Sequence, residues 1–273
     1  MTGQPRFCAL FVALLATACA AFAAPPPAAE ALVEKGHLTY GVAATFAPFE
    51  FKDNGQLTGF DIDMIQALGK KLGLEPAPMN MEFKGLIPAL QGNRLDIINS
   101  AMYINPARAA QVDFVPYLKV GTQVVVVKGN PAKITGRDDS LCGKTIAVTL
   151  GGIQESYARA DNERCTKAGK AEVKVMTMPT AQDSALTLRQ GRADAIFDST
   201  PGNVKLMTEM AGVFESTGAE FEANTQIGIA LRKGDTAMRA SLEAALKEIV
   251  ADGTYAKLIA KWKFPASVGL LNN

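Results

Sequence analysis

A helix-turn-strand unit occurs twice in this chain, and that repetition constrains the fold more than any other feature. Residues 86–98 read LIPALQGNRLDII, and residues 185–196 read ALTLRQGRADAI. The match sets Asp96 against Asp194, 98 residues apart. The flanking segments recur in the same order. Before the first copy come a strand over Leu38–Val42, a helix opened by Asp61 and a strand over Met79–Phe83. Before the second come a strand over Lys144–Val148, a helix over Ile153–Lys167 and a strand over Val173–Met176. In the first helix Ile62, Ile65, Leu68 and Leu72 recur at helical spacing. Strands alternating with helices imply a mostly parallel sheet, so two copies predict an α/β protein of two similar Rossmann-like lobes.

This doubling has a mechanical consequence. Ligands of open α/β sheets sit beyond the carboxyl ends of the strands. Two lobes that face each other through those ends enclose a shared cleft. Ser100 and Asp198 lie at matching places just past their strands. The segment Val120–Val127, ending in the β-branched run Val124–Val127, and the segment Gln226–Arg232 are expected to carry the chain between lobes as a two-strand hinge. Residues 35–122 and 227–266 then form lobe 1, and residues 123–226 form lobe 2. A helix capped by Asp235, with Met238, Leu242, Ala245 and Ile249 as its apolar stripe, should return to lobe 1. So should a last helix carrying Tyr255, Leu258 and Trp262.

The N-terminus reads as an export signal. Arg6 is followed by about ten apolar residues, Phe7–Ala16, too few to span a membrane. Ala21-Phe22-Ala23 fits a small-x-small cleavage site, which makes residues 1–23 a signal peptide. Three prolines from Pro25 argue against a buried helix there. Lipid attachment at Cys19 is the competing reading, but Ala16 stands where such sites usually have leucine. Without residues 1–23 the chain keeps 250 residues, with 27 basic and 27 acidic. No basic surplus remains to neutralise phosphates, which argues against nucleic acid as a partner. No later stretch is long enough for an apolar span, and none follows Trp262, where a membrane-fused sensor would need one.

Cysteine and histidine usage narrows the chemistry. Cys142 and Cys165 remain after export, an even pair in an oxidising compartment. A disulfide would close a loop of about twenty residues and stabilise by roughly 3 kcal/mol. Two buried free thiols are the alternative. With one histidine, His37, and two cysteines open to pairing, neither a zinc site nor a histidine-based nucleophilic triad is expected.

Several residues are candidates for holding a ligand. Asn105-Pro106 reads as a helix cap and first position, which puts Arg108 in the first turn. A guanidinium there suits a carboxylate, although a solvated surface arginine explains the spacing equally well. Asp198 is placed to accept hydrogen bonds from an ammonium. Its alternative role is to cap the helix announced by Pro201, for which Thr200 is better suited. Gly151-Gly152, ahead of a helix, could present backbone N–H groups to an anion or simply make a tight turn. Phe46 and Phe83 are either walls for a flat or aliphatic ligand part or ordinary core. Asp61 and Asp63 read as cap and first-turn acids.

Taken in order, these stretches resemble a known family. Phe49-Glu50-Phe51 through Gly59-Phe60-Asp61-Ile62-Asp63, Gly85-Leu-Ile-Pro-Ala-Leu90, Asn105-Pro-Ala-Arg108 with Val112-Asp113-Phe114, and Gly191-Arg-Ala-Asp194 are similar to the polar amino-acid-binding proteins of ABC importers, family 3 type. The likeness runs from about Leu38 to Phe264. It implies the type II periplasmic binding-protein fold and an extracytoplasmic receptor that hands an amino acid or a derivative to a membrane permease, as a monomer and without a cofactor. It also implies that Arg108 pairs with the ligand carboxylate, that Asp198 receives the ammonium, and that Phe46 and Phe83 flank the side chain. Ser100, Gly152 and Gln154 fall beside these positions.

Departures from the family pattern qualify the ligand. Tyr103 replaces a small hydroxyl residue before the arginine. Ile153, after Gly152, replaces a frequent serine or threonine. Ala43 or Ala44 stands where binders of cationic amino acids carry an acid. Lysine, arginine and histidine are therefore disfavoured, and Tyr103 and Ile153 shape a pocket for a less usual amino acid. The same fold is known to host dehydratases acting on cyclohexadienyl acids or arogenate, which would need Asp198 or Glu155 as a general acid.

Overall fold

A computed structural model describes residues 32–271. The export signal at 1–23 and the question of Cys19 lie outside the described residues. Two five-stranded sheets dominate, each covered by helices on both faces.

The first lobe starts with β1 (His37–Val42), then a small hairpin sheet of β2 (Thr45–Phe46), β3 (Glu50–Asp53) and β4 (Gln56–Thr58). Next come α1 (Phe60–Leu72), β5 (Glu75–Asn80), α2 (Leu86–Gln91), β6 (Ile97–Ile98), α3 (Pro106–Ala109) and β7 (Val112–Lys119). The chain then builds the second lobe. It consists of β8 (Thr122–Val127), β9 (Thr145–Thr149), α4 (Ile153–Lys167), β10 (Lys174–Met178), α5 (Ala181–Arg189), β11 (Ala195–Ser199), α6 (Thr200–Glu209) and β12 (Phe214–Phe221). It returns through β13 (Gln226–Arg232), α7 (Thr236–Ala251) and α8 (Thr254–Lys261), which pack on the first lobe.

Strand order is β5-β1-β6-β13-β7 in one sheet and β10-β9-β11-β8-β12 in the other. In both, three parallel strands are followed by one antiparallel strand from the far side of a crossing. β8 and β13, expected as the hinge itself, are full members of one sheet each. The chain crosses between sheets at residues 120–121 and 222–225.

Strand alternation explains the layering. Along β8, Val124 and Val126 enter one apolar cluster and Val125 enters the opposite one. Along β13, Ile227, Ile229 and Leu231 face α1 and α7, while Ala230 faces α2. Strands buried on both faces read as continuous apolar runs, as parallel sheets under two helical layers require.

The repeat has a physical basis. The Asp96 carboxylate accepts from the Thr39 N–H at 2.8 Å, and the Asp96 N–H donates to the Thr39 carbonyl. Asp194 does both with Thr145, again at 2.8 Å. Each aspartate thus ties the start of one central strand to the loop leading into its parallel neighbour.

Asp61 is not a cap. Gly59 occupies that position of α1 with φ 135°, a conformation open to glycine, and a Cβ there would lie 2.0 Å from the Phe49 carbonyl oxygen. The carbonyls of Pro48 and Phe49 take the first two N–H groups of the helix. Asp61 is left fully buried, and its Oδ2 accepts from the Ala101 N–H at 2.7 Å and the Tyr117 hydroxyl at 2.6 Å. Asp63 binds Lys261 and the Trp262 indole N–H, both at 2.7 Å, and so fastens α8 to α1.

Cys142 and Cys165 form a disulfide, which joins the loop before β9 to the end of α4. Among the described residues no helix is long and apolar enough to cross a membrane.

Candidate functional site

The carboxyl ends of β1, β6 and β9 converge on a cavity of about 420 Å³ between the sheets. A smaller chamber of about 250 Å³ adjoins it, and Phe46, Thr149, Gln154 and Ala181 line both. Phe46, Phe83, Tyr103, Arg108, Gly152, Ile153 and Gln154 all line the larger space. Asp198 lines the smaller one. The lining residues Thr45, Thr149, Ala101 and Ala181 carried no sequence signal beyond their position after a strand or at the start of a helix.

Arg108 reaches the cavity from α3. Asn105 caps that helix by accepting from the Arg108 N–H at 2.8 Å, and Pro106 fills the first position. α3 is a single turn of four residues. Its dipole is therefore slight, and the expected helix-terminus receptor reduces to the guanidinium itself. Arg108 is only 8% exposed. Nη1 donates to the Tyr103 carbonyl at 2.6 Å, and Nη2 donates across the cleft to the Gly151 carbonyl at 2.9 Å. The Phe83 ring lies 5.2 Å from its central carbon, so Phe83 backs the cation as well as lining the cavity. Among the described residues Arg108 has no carboxylate partner, and burial brings its pKa down to about 10.

The glycine pair departs from expectation. The Gly151 N–H is taken by Glu155 at 2.7 Å and the Gly152 N–H by the Thr149 carbonyl at 3.0 Å, so neither is free for an anion. Gly151 instead offers its carbonyl to Arg108. The N–H groups of Ile153 and Gln154 open α4 at the cavity wall, where first-turn donors have no acceptor within the helix.

Asp198 sits just ahead of α6. Ser199, rather than Thr200 or Asp198, caps that helix: its hydroxyl accepts from the Gly202 N–H at 3.0 Å. Asp198 Oδ1 accepts from the Ser199 N–H at 2.7 Å, and among the described residues no cation pairs with the carboxylate. Burial pushes its pKa up to about 7. Gly202 makes room for this arrangement, since a Cβ there would lie 2.7 Å from Asp198 Oδ1.

Ser100 does not reach the cavity. It is fully buried, donating to Glu50 Oε1 at 3.0 Å and accepting from the Ala43 N–H at 2.9 Å. The hairpin sheet, which has no counterpart in the second lobe, brings Glu50 over it. Ser100 and Asp198 are therefore equivalent in sequence position and different in role. Tyr103 lines the cavity and is 3% exposed, and among the described residues its hydroxyl has no hydrogen-bond partner. The same holds for Gln154 Nε2, on a residue 6% exposed.

Two α/β lobes meet over adjoining chambers, one lined by a cation and the other by an anion that have no countercharge among the described residues, and this defines a receptor for a small polar solute. Residues 38–266 match the bacterial extracellular solute-binding proteins, family 3, and the chain belongs to that family. It is 32% identical over 231 residues to the L-cystine-binding protein TcyJ of Escherichia coli strain K12, covering 84% of this chain and 83% of that protein. Among solved structures it resembles an ancestral arginine-binding protein bound to arginine, at 36% identity and TM-score 0.76, over 83% of this chain and 98% of that one. It also resembles an ancestral amino acid-binding protein described as a precursor of cyclohexadienyl dehydratase, at 35% identity and TM-score 0.74, over 83% and 95% of the two chains.

Proposed function

We propose that this protein captures the zwitterionic backbone of an amino acid, or of an amino-acid derivative, between its two lobes. One observation carries the reading: among the described residues Arg108 is buried with only carbonyl partners, and in the adjoining chamber the half-buried Asp198 carboxylate has only a backbone N–H. A ligand carboxylate on Arg108 and an ammonium on Asp198 supply both missing countercharges at once. The first-turn N–H groups of Ile153 and Gln154 add donors beside Arg108. The relatives named for cystine and arginine support an α-amino acid as the class.

Residues 35–122 with 227–266 and residues 123–226 act as the two closing bodies, bending at the crossings near 120–121 and 222–225. The loaded form docks as a monomer on an ABC permease after export to the periplasm directed by residues 1–23. Because the relatives are named as binding proteins, capture is favoured over catalysis. One observation favours dehydration of a cyclohexadienyl acid or arogenate instead: Asp198, with its pKa near 7, suits a proton donor. Aromatic absorbance growing on incubation with prephenate or arogenate would support that second reading.

A thermal-shift screen of the exported protein against amino acids tests the main one, since a tight ligand raises the melting temperature by mass action. Arg108→Ala should abolish the shift and leave the circular-dichroism spectrum unchanged. Undiminished affinity in that variant would sink the assignment.

A further inference from the structure

From the charge and hydrogen-bond inventory of the cavity, we infer that the ligand's side chain is uncharged and carries a hydrogen-bond acceptor, received by Gln154 Nε2 and the Tyr103 hydroxyl. This rests on the backbone reading just given and extends it to the side chain.

Of the residues lining the two adjoining chambers, Arg108 and Asp198 alone are charged. Both are consumed by the carboxylate and ammonium of the ligand backbone. A cationic side chain entering this space would meet Ala43, Ala101, Ile153 and two phenylalanines, with no third charge to offset its desolvation. The nearest further charges, Lys205 and Glu209, line a third pocket that shares Ala181 and Asp198 with the smaller chamber, and they neutralise each other as an ion pair.

Buried polar groups in folded proteins are nearly always paired, so an unpaired one in a cavity wall marks where a ligand atom belongs. Gln154 Nε2 and the Tyr103 hydroxyl are both unpaired, on residues less than a tenth exposed, and both residues line the same space. An amide nitrogen only donates. The tyrosine keeps its proton, because burial and the nearby Asp198 and Glu220 carboxylates raise its pKa, so it too can donate. Two unpaired donors on residues that line a mainly apolar space select an acceptor oxygen, as in the amide and hydroxyl side chains. A purely aliphatic side chain would leave both unsatisfied.

Isothermal titration of the full exported chain with glutamine, leucine and arginine tests this. The expected order is glutamine tightest, leucine about tenfold weaker, and arginine at least about a hundredfold weaker than glutamine. Gln154→Leu and Tyr103→Phe preserve volume, and each should weaken glutamine about tenfold while moving leucine less than about threefold. Arginine binding as tightly as glutamine, or both variants losing the two ligands in equal measure, overturns the inference and leaves the backbone reading standing. If none of the three binds and Arg108→Ala changes no ligand response, the backbone reading itself fails.

Discussion

Ligand affinity should rise with pH through neutrality, and Asp198 sets where. Its carboxyl is held up to about 7 by burial, with one N–H bond from Ser199 pulling the other way. An ammonium placed against it lowers that pKa, so the bound state holds fewer protons than the free state. Binding must therefore release the proton, and affinity falls as pH drops below about 7. If only ionised Asp198 accepts the ligand, the apparent Kd grows as one plus the ratio of protonated to ionised carboxyl. That factor is about 1.1 at pH 8, about 10 at pH 6 and about 100 at pH 5. Backbone groups of an amino acid keep their charges across this range, and Arg108, at about 10, stays protonated. Isothermal titration from pH 5 to 8, in buffers of different ionisation enthalpy, measures both the affinity and the protons released. Asp198→Asn should bind more weakly and lose the slope. A flat profile in the wild type would refute the role of Asp198. A slope that survives in Asp198→Asn would move the dependence to the buried Glu50–Asp61 pair.

That pair supports a second expectation. Glu50 and Asp61 are both fully buried side by side, and among the described residues Glu50 Oε2 and Asp61 Oδ1 have no other partner, as expected of two carboxyls holding one proton between them. Burial raises both pKa values, Asp61 to about 7. A raised folded-state pKa gives stability that is complete below the unfolded value near 4 and lost as pH climbs through about 7, at most on the order of 4 kcal/mol. Asp61→Asn keeps an oxygen for Ala101 and Tyr117 and offers its N–H to Glu50, so urea midpoints at pH 4.5 and 7.5 should draw together. Unchanged separation would count against the shared proton. Gly202→Ala pushes a methyl to within 2.7 Å of Asp198 Oδ1 and Ser199 Oγ. It should weaken ligand binding about tenfold or more while shifting the melting temperature by only a few degrees, and equal loss of both would make Gly202 a folding residue alone.

The architecture was legible because repetition is written in residues that do the same local work. Asp96 and Asp194 match in sequence since each accepts from a threonine N–H in a central strand, Thr39 or Thr145, and donates back to the carbonyl of the same threonine. The strands that the sequence hid have local reasons. β7 carries Pro116 in its middle, tolerated where its register with β13 shifts, and β12 is mostly polar and half exposed. Site residues were harder to read. The type of Arg108 and its capped turn are local facts, so they could be found. Which carbonyls it meets is not local, and neither is the fate of the Gly151 and Gly152 N–H groups. Ser100 failed for a related reason. Its register matches Asp198, but only lobe 1 has a hairpin sheet to bury it beneath Glu50.

If the lobes close as proposed, the exchange of strands between sheets leaves closure to depend on what lies in the cleft. β8 sits between β11 and β12, and β13 between β6 and β7, so each lobe is locked internally by strands that follow directly on a crossing. Bending there leaves both sheets intact. Direct bonds across the cleft are few and neutral on one side. Arg108 meets the Gly151 carbonyl at 2.9 Å, and Lys205 lies 4.8 Å from the centre of the Phe51 ring. A carbonyl compensates a buried guanidinium far less than a carboxylate does. The closed arrangement thus carries an electrostatic deficit at Arg108 and another at Asp198, on opposite lobes. On the proposed reading a zwitterion repairs both only when the lobes are together, and that difference in affinity between closed and open forms would let a ligand drive the closure.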